Sequence, residues 1–238
     1  MNHTRLKKQL GAGPEPATPF YVSIAGNIGV GKSMVTTMIG EVFGWRMFFE
    51  PVINNPYLDD YYKDMARWSF HLQVYFLSQR FEVQKAIMDR PGSAVQDRTI
   101  YEDVEIFAPT LYRRGCMDER DYQNYREIFR NMTSFLQAPD LIIYLHCRPE
   151  TALERIRQRA RSCESEIPLD FLQDLHAAYG DWIERAPALC PVRIIDTEAV
   201  NLRDDNAAQL ELLRMIREAH EEKHEKAGKR ARKAAKSK

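Results

Sequence analysis

The eight residues 26–33, with the sequence GNIGVGKS, constrain the fold of this chain more than any other feature. They match the pattern GxxxxGK[ST], follow a short apolar run at residues 20–24 and open a helical pattern over residues 32–43. In such a loop the backbone N–H groups point inward at phosphate oxygens, Lys32 reaches the terminal phosphates and the Ser33 hydroxyl can ligate Mg²⁺. The pattern therefore predicts a nucleoside triphosphate site formed by Gly26, Asn27, Ile28, Gly29, Val30, Gly31, Lys32 and Ser33.

Short apolar runs alternate with longer stretches of helical periodicity along the rest of the chain. The predicted strands are residues 20–24, 45–49, 93–96, 141–146 and 192–195. The predicted helices are residues 32–43, 65–89, 119–136, 150–161 and 168–185, followed by a charged helix from about residue 206. This alternation is typical of an α/β fold in which helices cover both faces of a parallel sheet.

The 238 residues and the hydrophobic content of 44% fit one α/β domain. We expect a flexible segment at residues 1–18, a folded domain at residues 19–222 and a basic, disordered tail at residues 223–238. Lys and Arg total 34, as do Asp and Glu, but the tail holds eight basic residues and one Glu, which leaves 26 basic and 33 acidic groups elsewhere. This acidic remainder argues against a nucleic-acid partner. No run is apolar enough to span a membrane, and no apolar leader is visible, which favours a cytoplasmic protein.

Charged residues follow the second and third predicted strands. Glu50 comes directly after an apolar run, and Asp97 and Arg98 end the third strand. Because the carboxyl ends of parallel strands meet at one edge of a sheet, we expect these side chains near the phosphate loop. Glu50 suits general-base work on an acceptor hydroxyl, Asp97 suits Mg²⁺ or its water, and Arg98 can neutralise a moving phosphoryl group. The three strand ends together favour a phosphotransferase.

Six motifs occur in a fixed order between residues 20 and 195. They are GNIGVGKS, EPV, NPYL followed by YY, WSFHLQVYF, DRTIYED, and RIRQRAR followed by Glu164 and IPL. This set resembles the deoxyribonucleoside kinases, although DRT stands where many members have Asp/Glu-Arg-Ser. The resemblance implies a P-loop NTPase-like three-layer sandwich with a five-stranded parallel sheet, an arginine-rich lid and a homodimer. It also implies ATP-dependent phosphorylation of the 5′-hydroxyl of a deoxyribonucleoside, with Mg²⁺ as the cofactor.

The resemblance also implies roles for individual residues at the sugar. It makes Glu50 the base for the 5′-hydroxyl, with Arg98 as its partner at the reacting end. Tyr62, the second tyrosine of the YY motif, is similar to a residue that holds the 3′-hydroxyl in the family, and so is Glu164. These four side chains would fix the sugar opposite the phosphate loop.

At the nucleobase, the resemblance makes Gln73 the amide that pairs with the base edge and Phe107 the ring that stacks on it. Gln73 and Arg80 are seven residues apart, about two helical turns, so both project from one helix face. In the family, an arginine at this position paired with an acid at the position of Asp103 accompanies purine or cytosine acceptance. The pair, together with the NPYL stretch, favours deoxyadenosine or deoxyguanosine as the substrate.

An arginine-rich stretch precedes Glu164. Arg155 and Arg159 are four residues apart and share a helix face. The resemblance makes Arg155, Arg159 and Arg161 a lid that closes over the ATP phosphates, where several guanidinium groups would offset charge and exclude water.

Other functions stay open on the sequence alone. A deoxycytidine or other pyrimidine deoxynucleoside kinase is the first alternative. A thymidylate-type nucleoside monophosphate kinase is the second, but Glu50 would repel an acceptor that already carries phosphate. A non-catalytic relative is a third, and we would expect it to have lost at least one of Lys32, Ser33, Glu50, Asp97 and Arg98, all of which are present. A nucleotide-driven switch is disfavoured because the sequence has no GTP-reading motif of the NKxD type.

Overall fold

The computed structural model describes residues 3–11, 16–50, 55–161, 164 and 167–236. Within these residues, five strands form one parallel sheet. The strands are β1 (Tyr21–Ala25), β2 (Arg46–Phe48), β3 (Ala94–Asp97), β4 (Leu141–His146) and β5 (Val192–Asp196). Their order in the sheet is β2-β3-β1-β4-β5, so the strand that leads into the phosphate loop is central.

Helices connect the strands and cover the sheet. Those before β3 are α1 (His3–Leu10), α2 (Lys32–Phe43), α3 (Leu58–Lys63) and α4 (Met65–Asp89). Between β3 and β4 lie α5 (Ile100–Glu102), a π-helical turn (Asp103–Phe107), α6 (Ala108–Arg113) and α7 (Glu119–Thr133). The remaining helices are α8 (Pro149–Arg159), α9 (Leu169–Arg185) and α10 (Asn206–Lys236). The part of the chain that the structure describes contains no helix apolar and long enough to cross a membrane.

The central strands β1, β3 and β4 are buried on both faces, and alternate residues of a strand contact different layers. Val22, Ile24 and Ile143 pack into one apolar cluster with α1, α2 and α10. Ala25 and Ile142 pack into a second cluster on the opposite face, with side chains from α4, α6 and α9. This alternation follows from the two-residue period of a strand. The predicted three-layer α/β fold with a five-stranded parallel sheet is therefore confirmed.

The sheet order places three functional strand ends next to one another. Because β2, β3 and β1 are neighbours, the residues that follow them meet at one edge. Ile24 pairs with Asp97 in the register of β1 and β3, and the Arg98 N–H donates to the Ile24 carbonyl at 3.0 Å. Glu50 follows β2 at the same edge. The adjacency expected from the sequence is present.

Residues 3–10 differ from the flexible segment that was expected at residues 1–18. His3–Leu10 forms α1, in which Leu6 and Leu10 are buried in the cluster beneath α2 and α10. The Arg217 guanidinium of α10 donates to the Leu10 carbonyl at 2.7 Å. Two apolar side chains four residues apart are enough to dock a short helix, although most of this segment is polar or contains Gly and Pro. Residues 1–2 and 12–15 lie outside the described part of the chain.

The basic tail also differs from the expectation of disorder, because α10 continues to Lys236. Lys226 and Lys229 form ion pairs with glutamates one turn earlier, Glu222 and Glu225, at 3.3 and 3.5 Å. Such pairs and the alanines of this segment favour the helix even where it is fully exposed. A domain boundary at residue 222 stays a prediction.

Candidate active site

A cleft of about 1070 Å³ opens at the carboxyl edge of β1, β2 and β3. Most of the residues predicted from the sequence line it. They are Ile28, Gly29, Val30, Gly31, Lys32, Ser33, Glu50, Tyr62, Gln73, Arg80, Asp97, Arg98, Asp103, Phe107, Arg155, Arg159, Arg161 and Glu164. Gly26 and Asn27, the first two residues of the loop, are not among the lining residues, and Asn27 donates to the Leu172 carbonyl of α9 at 2.9 Å. The structure thus gathers one set of side chains around one cavity.

The phosphate loop is packed closely against the elements around it. Gly29 has a φ of +87°, and a Cβ at this position would lie 2.5 Å from the Ala152 carbonyl oxygen of α8. Only glycine tolerates both the left-handed backbone and the close approach. The Lys32 ammonium donates to the Asn27 carbonyl at 2.9 Å and is therefore folded back across the loop. These contacts hold the loop in a shape suited to phosphate oxygens.

Lys32 is the main cation of the loop, and its surroundings lower the pKa of its ammonium group. Burial and then the positive charge of Arg98 lower the pKa of Lys32 to about 8, although Asp97 and Glu50 act in the opposite direction. A bound polyphosphate would favour the charged form again, because it adds negative charge next to the ammonium. The site therefore gains affinity for a proton when a phosphate ligand binds.

Ser33 and Asp97 form a pair suited to a divalent cation. The Ser33 hydroxyl donates to Asp97 Oδ2 at 2.5 Å, and Asp97 Oδ1 is buried without a hydrogen-bond partner among the described residues. Burial raises the pKa of Asp97, and the positive charge of Lys32 only partly offsets it. A hydroxyl beside a carboxylate with an unused oxygen is a donor set that Mg²⁺ accepts together with phosphate oxygens. The residues present therefore fit the metal.

Glu50 lies across the cleft and is held by two arginines. Arg80 Nη2 donates to Glu50 Oε1 at 2.5 Å, while Arg80 Nη1 lies 2.5 and 2.6 Å from the two Asp103 oxygens. Arg98 Nε lies 3.5 Å from the same Glu50 oxygen. The Glu50 side chain keeps 20% of its surface exposed, whereas those of Arg80 and Asp103 keep only 2%. Glu50 is thus the member of this network that is open to a ligand.

The arginines set the charge of both carboxylates. Burial alone would raise the pKa of Glu50, but the charges of Arg98 and Arg80 lower it to about 2. At Asp103, burial raises the pKa to about 6, although the positive charge of Arg80 acts in the opposite direction. At neutral pH the empty cleft therefore presents Glu50 as an anion between two guanidinium groups.

The far end of the cleft is lined by aromatic and amide side chains. Gln73 on α4 is 3% exposed, and its Oε1 has no hydrogen-bond partner within the described chain. Phe107, at the end of the π-helical turn, carries the Arg98 guanidinium 4.3 Å from its ring centroid. Tyr62 lies with its ring next to that of Tyr61 and lines the same space. An unpaired amide oxygen in the same cleft as aromatic rings is an arrangement that can recognise a planar, hydrogen-bonding group.

The arginine-rich segment is divided between two partners. Arg159 and Arg161 both contact the Glu164 carboxylate, and the Arg159 Nε to Glu164 distance is 2.7 Å. Arg155 instead donates to the Thr197 hydroxyl and carbonyl at 2.8 and 2.9 Å, in the loop after β5. All three guanidinium groups line the cleft. The sequence placed them together but did not indicate this division.

Sequence reasoning missed two buried residues behind the phosphate loop. Glu102, 0% exposed, accepts a hydrogen bond from the Gly26 N–H, and the Tyr179 hydroxyl of α9 contacts both residues. The available signal was a second acid within the DRTIYED motif, next to Asp103. The loop after β5, at residues 197–203, also lines the cleft and was not singled out.

A phosphate loop on the central strand, with a carboxylate and two arginines opposite its lysine, defines a P-loop phosphotransferase. The family model described as "Deoxynucleoside kinase" matches residues 22–220. A deoxyadenosine kinase of Dictyostelium discoideum is 42% identical over 172 residues, which cover 72% of this chain and 70% of that protein. A deoxyadenosine/deoxycytidine kinase of Bacillus subtilis (strain 168) is 41% identical over 193 residues, 79% of this chain and 88% of that one.

Solved structures agree with these relatives. A deoxyadenosine kinase from M. mycoides with bound dATP superposes with a TM-score of 0.71 at 31% identity, covering 82% of this chain and 96% of that one. The chain belongs to the deoxynucleoside kinase family, and it is a kinase that phosphorylates a deoxynucleoside. The resemblance found in the sequence motifs is confirmed.

Proposed function

We propose that this enzyme transfers the γ-phosphate of ATP to the 5′-hydroxyl of a purine deoxyribonucleoside, with deoxyadenosine as the preferred substrate. The observation that carries this proposal is the position of Glu50, an ionised and partly exposed carboxylate in the same cleft as Lys32 and between Arg80 and Arg98. An anion at this place accepts a hydrogen bond from an uncharged alcohol and repels a phosphorylated one.

The low pKa of Glu50 decides what kind of base it is. With a pKa of about 2, the carboxylate has little affinity for a proton before the reaction starts. Phosphoryl transfer passes through a loose transition state, so the attacking hydroxyl becomes acidic only as the new P–O bond forms. Glu50 therefore orients the hydroxyl first and accepts its proton late, while Lys32, Arg98 and the lid arginines stabilise the transferring group.

The sugar and the lid belong to the same proposal. Tyr62 and Glu164 would hold the 3′-hydroxyl, as the family resemblance implies. Glu164 is 5% exposed and lies within reach of Arg159 and Arg161. A lid whose arginines contact the residue that binds the sugar would link closure over ATP to the presence of a nucleoside.

Mg²⁺ is the proposed cofactor, held by Ser33 and Asp97 together with the phosphates. When bound, it would neutralise charge on the β- and γ-phosphates. We expect Asp97→Asn to raise the Mg²⁺ concentration needed for half-maximal activity about tenfold or more, because the amide removes the charge of one ligand. A Mg²⁺ titration at saturating ATP measures this, with Asp181→Asn on the exposed surface of α9 as the control. An unchanged Mg²⁺ requirement would remove Asp97 from the metal site.

The preference for a purine rests on the base end of the cleft. Arg80 Nη1 and Nη2 are engaged by Asp103 and Glu50, but the buried Arg80 Nε and Gln73 Oε1 have no hydrogen-bond partner among the described residues, which leaves one donor and one acceptor in this cleft. Two relatives above 40% identity and a third at 33% are named for deoxyadenosine, whereas four relatives named as deoxyguanosine kinases are 29 to 32% identical. The name of the B. subtilis relative makes deoxycytidine the second candidate substrate.

Substitution of Arg80 tests this assignment. We expect Arg80→Met to lower kcat/KM for deoxyadenosine about 100-fold relative to thymidine, because hydrogen bonds to a charged group at a buried base are lost. A panel of the four deoxyribonucleosides, with ribonucleosides as controls, measures the change. Arg67→Met, on the exposed face of the same helix, should leave the ratio unaltered. An equal loss for all four bases in Arg80→Met would show that Arg80 does not read the base.

A homodimer is proposed as the assembly, and a cytoplasmic location stays a prediction. The family resemblance supports the dimer. Light scattering should give a mass twice that of the 27.8 kDa chain. A mass equal to that of one chain at micromolar concentration would contradict the dimer.

A further inference from the structure

Glu102 is a fully buried carboxylate that none of the steps above uses. Its oxygens accept hydrogen bonds from the Thr99 N–H at 2.9 Å, the Gly26 N–H at 3.2 Å and the Tyr179 hydroxyl at 2.6 Å. Within the described residues it forms no ion pair with a lysine or arginine, although its exposed fraction is 0%. Burying an acid in this way is unfavourable unless its hydrogen bonds compensate. Such an arrangement suggests a specific task for the group.

The contacts of Glu102 converge on the first residue of the phosphate loop. Its carboxylate accepts from the Gly26 N–H, and the Gly26 carbonyl accepts from Arg98 Nη2 at 3.3 Å. The single proton of the Tyr179 hydroxyl is shared between the Gly26 carbonyl, at 2.8 Å, and the Glu102 carboxylate. A Cβ on Gly26 would collide with the Leu145 carbonyl, so β4 supports the same residue from the other side. Gly26 is therefore held at both of its polar backbone groups.

The same carboxylate is also tied to the residue after Arg98. Through the Thr99 N–H, Glu102 fixes the backbone directly after Arg98, whose φ of +63° lies in the left-handed region. Burial disfavours the charged Arg98 guanidinium, but nearby acidic groups, Glu50 first and Glu102 among them, raise its pKa. One side chain thus contacts both the donor side of the cleft, at Gly26, and the acceptor side, next to Arg98.

We propose that Glu102 and Tyr179 are positioning residues that fix the phosphate loop relative to Arg98. This inference rests on the role proposed above for Arg98 at the transferring phosphoryl group. The Thr99 and Gly26 N–H groups can only donate and lie on different Glu102 oxygens, so only a group that accepts on both oxygens satisfies them. A glutamine would present its NH₂ group to one of these donors and leave that contact broken. Since misplacing a reacting group by about 1 Å costs about 100-fold in rate, a broken contact here should reduce turnover.

The test compares Glu102→Gln and Tyr179→Phe with Glu105→Gln, which removes an exposed acid paired with Arg185 at 3.1 Å. For each variant, kcat, KM for ATP and deoxyadenosine, and ATP binding without nucleoside are measured, with the melting temperature recorded. We expect kcat to fall about 10- to 100-fold in the first two variants, with both KM values changing less than about threefold. Glu105→Gln should match the unmodified enzyme. If Glu102→Gln does not fold, Tyr179→Phe, which loses one hydroxyl, decides the matter.

The double variant gives a second criterion. Because both side chains act on Gly26, the combined loss in kcat should be close to the larger single loss rather than the product of the two. Unchanged kcat in both single variants, or losses that multiply, would overturn the inference. Turnover by the unmodified enzyme distinguishes failure of the positioning role from failure of the proposed function. If the unmodified enzyme phosphorylates deoxyadenosine and Glu102→Gln and Tyr179→Phe are equally active, only the positioning role fails. If the unmodified enzyme leaves every nucleoside unphosphorylated, the proposed function fails.

Discussion

Glu50→Gln should lower kcat for nucleoside phosphorylation about 100- to 10,000-fold while ATP still binds. The amide cannot accept the proton that leaves the 5′-hydroxyl, and it no longer balances the two guanidinium groups beside it. Arg80 Nη2 lies 2.5 Å and Arg98 Nε 3.5 Å from the Glu50 carboxylate, so two buried cations would face a neutral group. The variant therefore loses both the base and the charge that orders its surroundings.

Steady-state kinetics with deoxyadenosine, together with calorimetric titration of ATP in the absence of nucleoside, measure the two effects separately. Glu41→Gln, an exposed substitution on α2, is the control for the loss of one acidic group. The ATP affinity of Glu50→Gln should stay within a few-fold of that of the control. Turnover in Glu50→Gln equal to that of the control would remove the assigned role of Glu50.

Arg98→Met should lower kcat about 100- to 1,000-fold, the range typical for loss of one preorganised group that stabilises transition-state charge. Arg98 is 2% exposed and contacts the Gly26 carbonyl, the Glu50 carboxylate and the Phe107 ring. Methionine fills much of the same volume and keeps the contact with the ring, but it carries no charge. The loss should therefore appear mainly in kcat rather than in protein stability.

The pH dependence of activity provides a second, independent test with the Arg98→Met variant. Arg98 is the foremost of the charges that lower the pKa of Glu50, so its removal should raise that pKa above its value of about 2. If Glu50 acts in its ionised form, as proposed, Arg98→Met should lose its remaining activity at a higher pH than the unmodified enzyme as the solution is acidified. Arg130→Met, exposed on α7, should keep the profile of the unmodified enzyme. An acid limb that does not move would show that Arg98 does not act on Glu50.

Much of the fold follows from local sequence patterns. Apolar runs bounded by turns located all five strands, and helical periodicity located α2 and α4 with the bounds that the structure has. The N-terminal segment was harder, because α1 depends on Leu6 and Leu10 reaching a surface formed by α2 and α10. Those helices lie far along the chain, and a pair of apolar residues in a polar stretch is a weak local signal.

The site, like the fold, has parts that the sequence predicts and parts that it does not. The charged residues after β1, β2 and β3 could be predicted, because parallel strands bring their carboxyl ends together regardless of the details. The contact of Arg80 with Glu50 could not, since the sequence indicated only the pairing of Arg80 with Asp103. The Thr99-x-x-Glu102 spacing of a capping box was visible in the sequence, but the contacts of Glu102 with Gly26 and Tyr179 join segments far apart in the chain and leave no trace in local spacing.

The charge distribution of the cleft distinguishes a nucleoside kinase from a nucleoside monophosphate kinase. A phosphorylated acceptor needs unpaired cations at the acceptor end of the cleft. Here Arg80 is already engaged with Asp103 and Glu50, and Arg98 lies beside Glu50. The acceptor end thus presents an exposed anion whose neighbouring cations are already paired, which suits an alcohol.

The most direct test of this account is a comparison of two acceptors with the unmodified enzyme. Purified protein with ATP and Mg²⁺ is given either deoxyadenosine or its 5′-monophosphate, and the products are separated and identified by chromatography and ³¹P NMR. We predict conversion of deoxyadenosine to the 5′-monophosphate, with kcat/KM at least about 100-fold higher than for the monophosphate, since a charged acceptor would face Glu50 at close range. Faster phosphorylation of the monophosphate, or a product phosphorylated at the 3′-hydroxyl, would contradict the account.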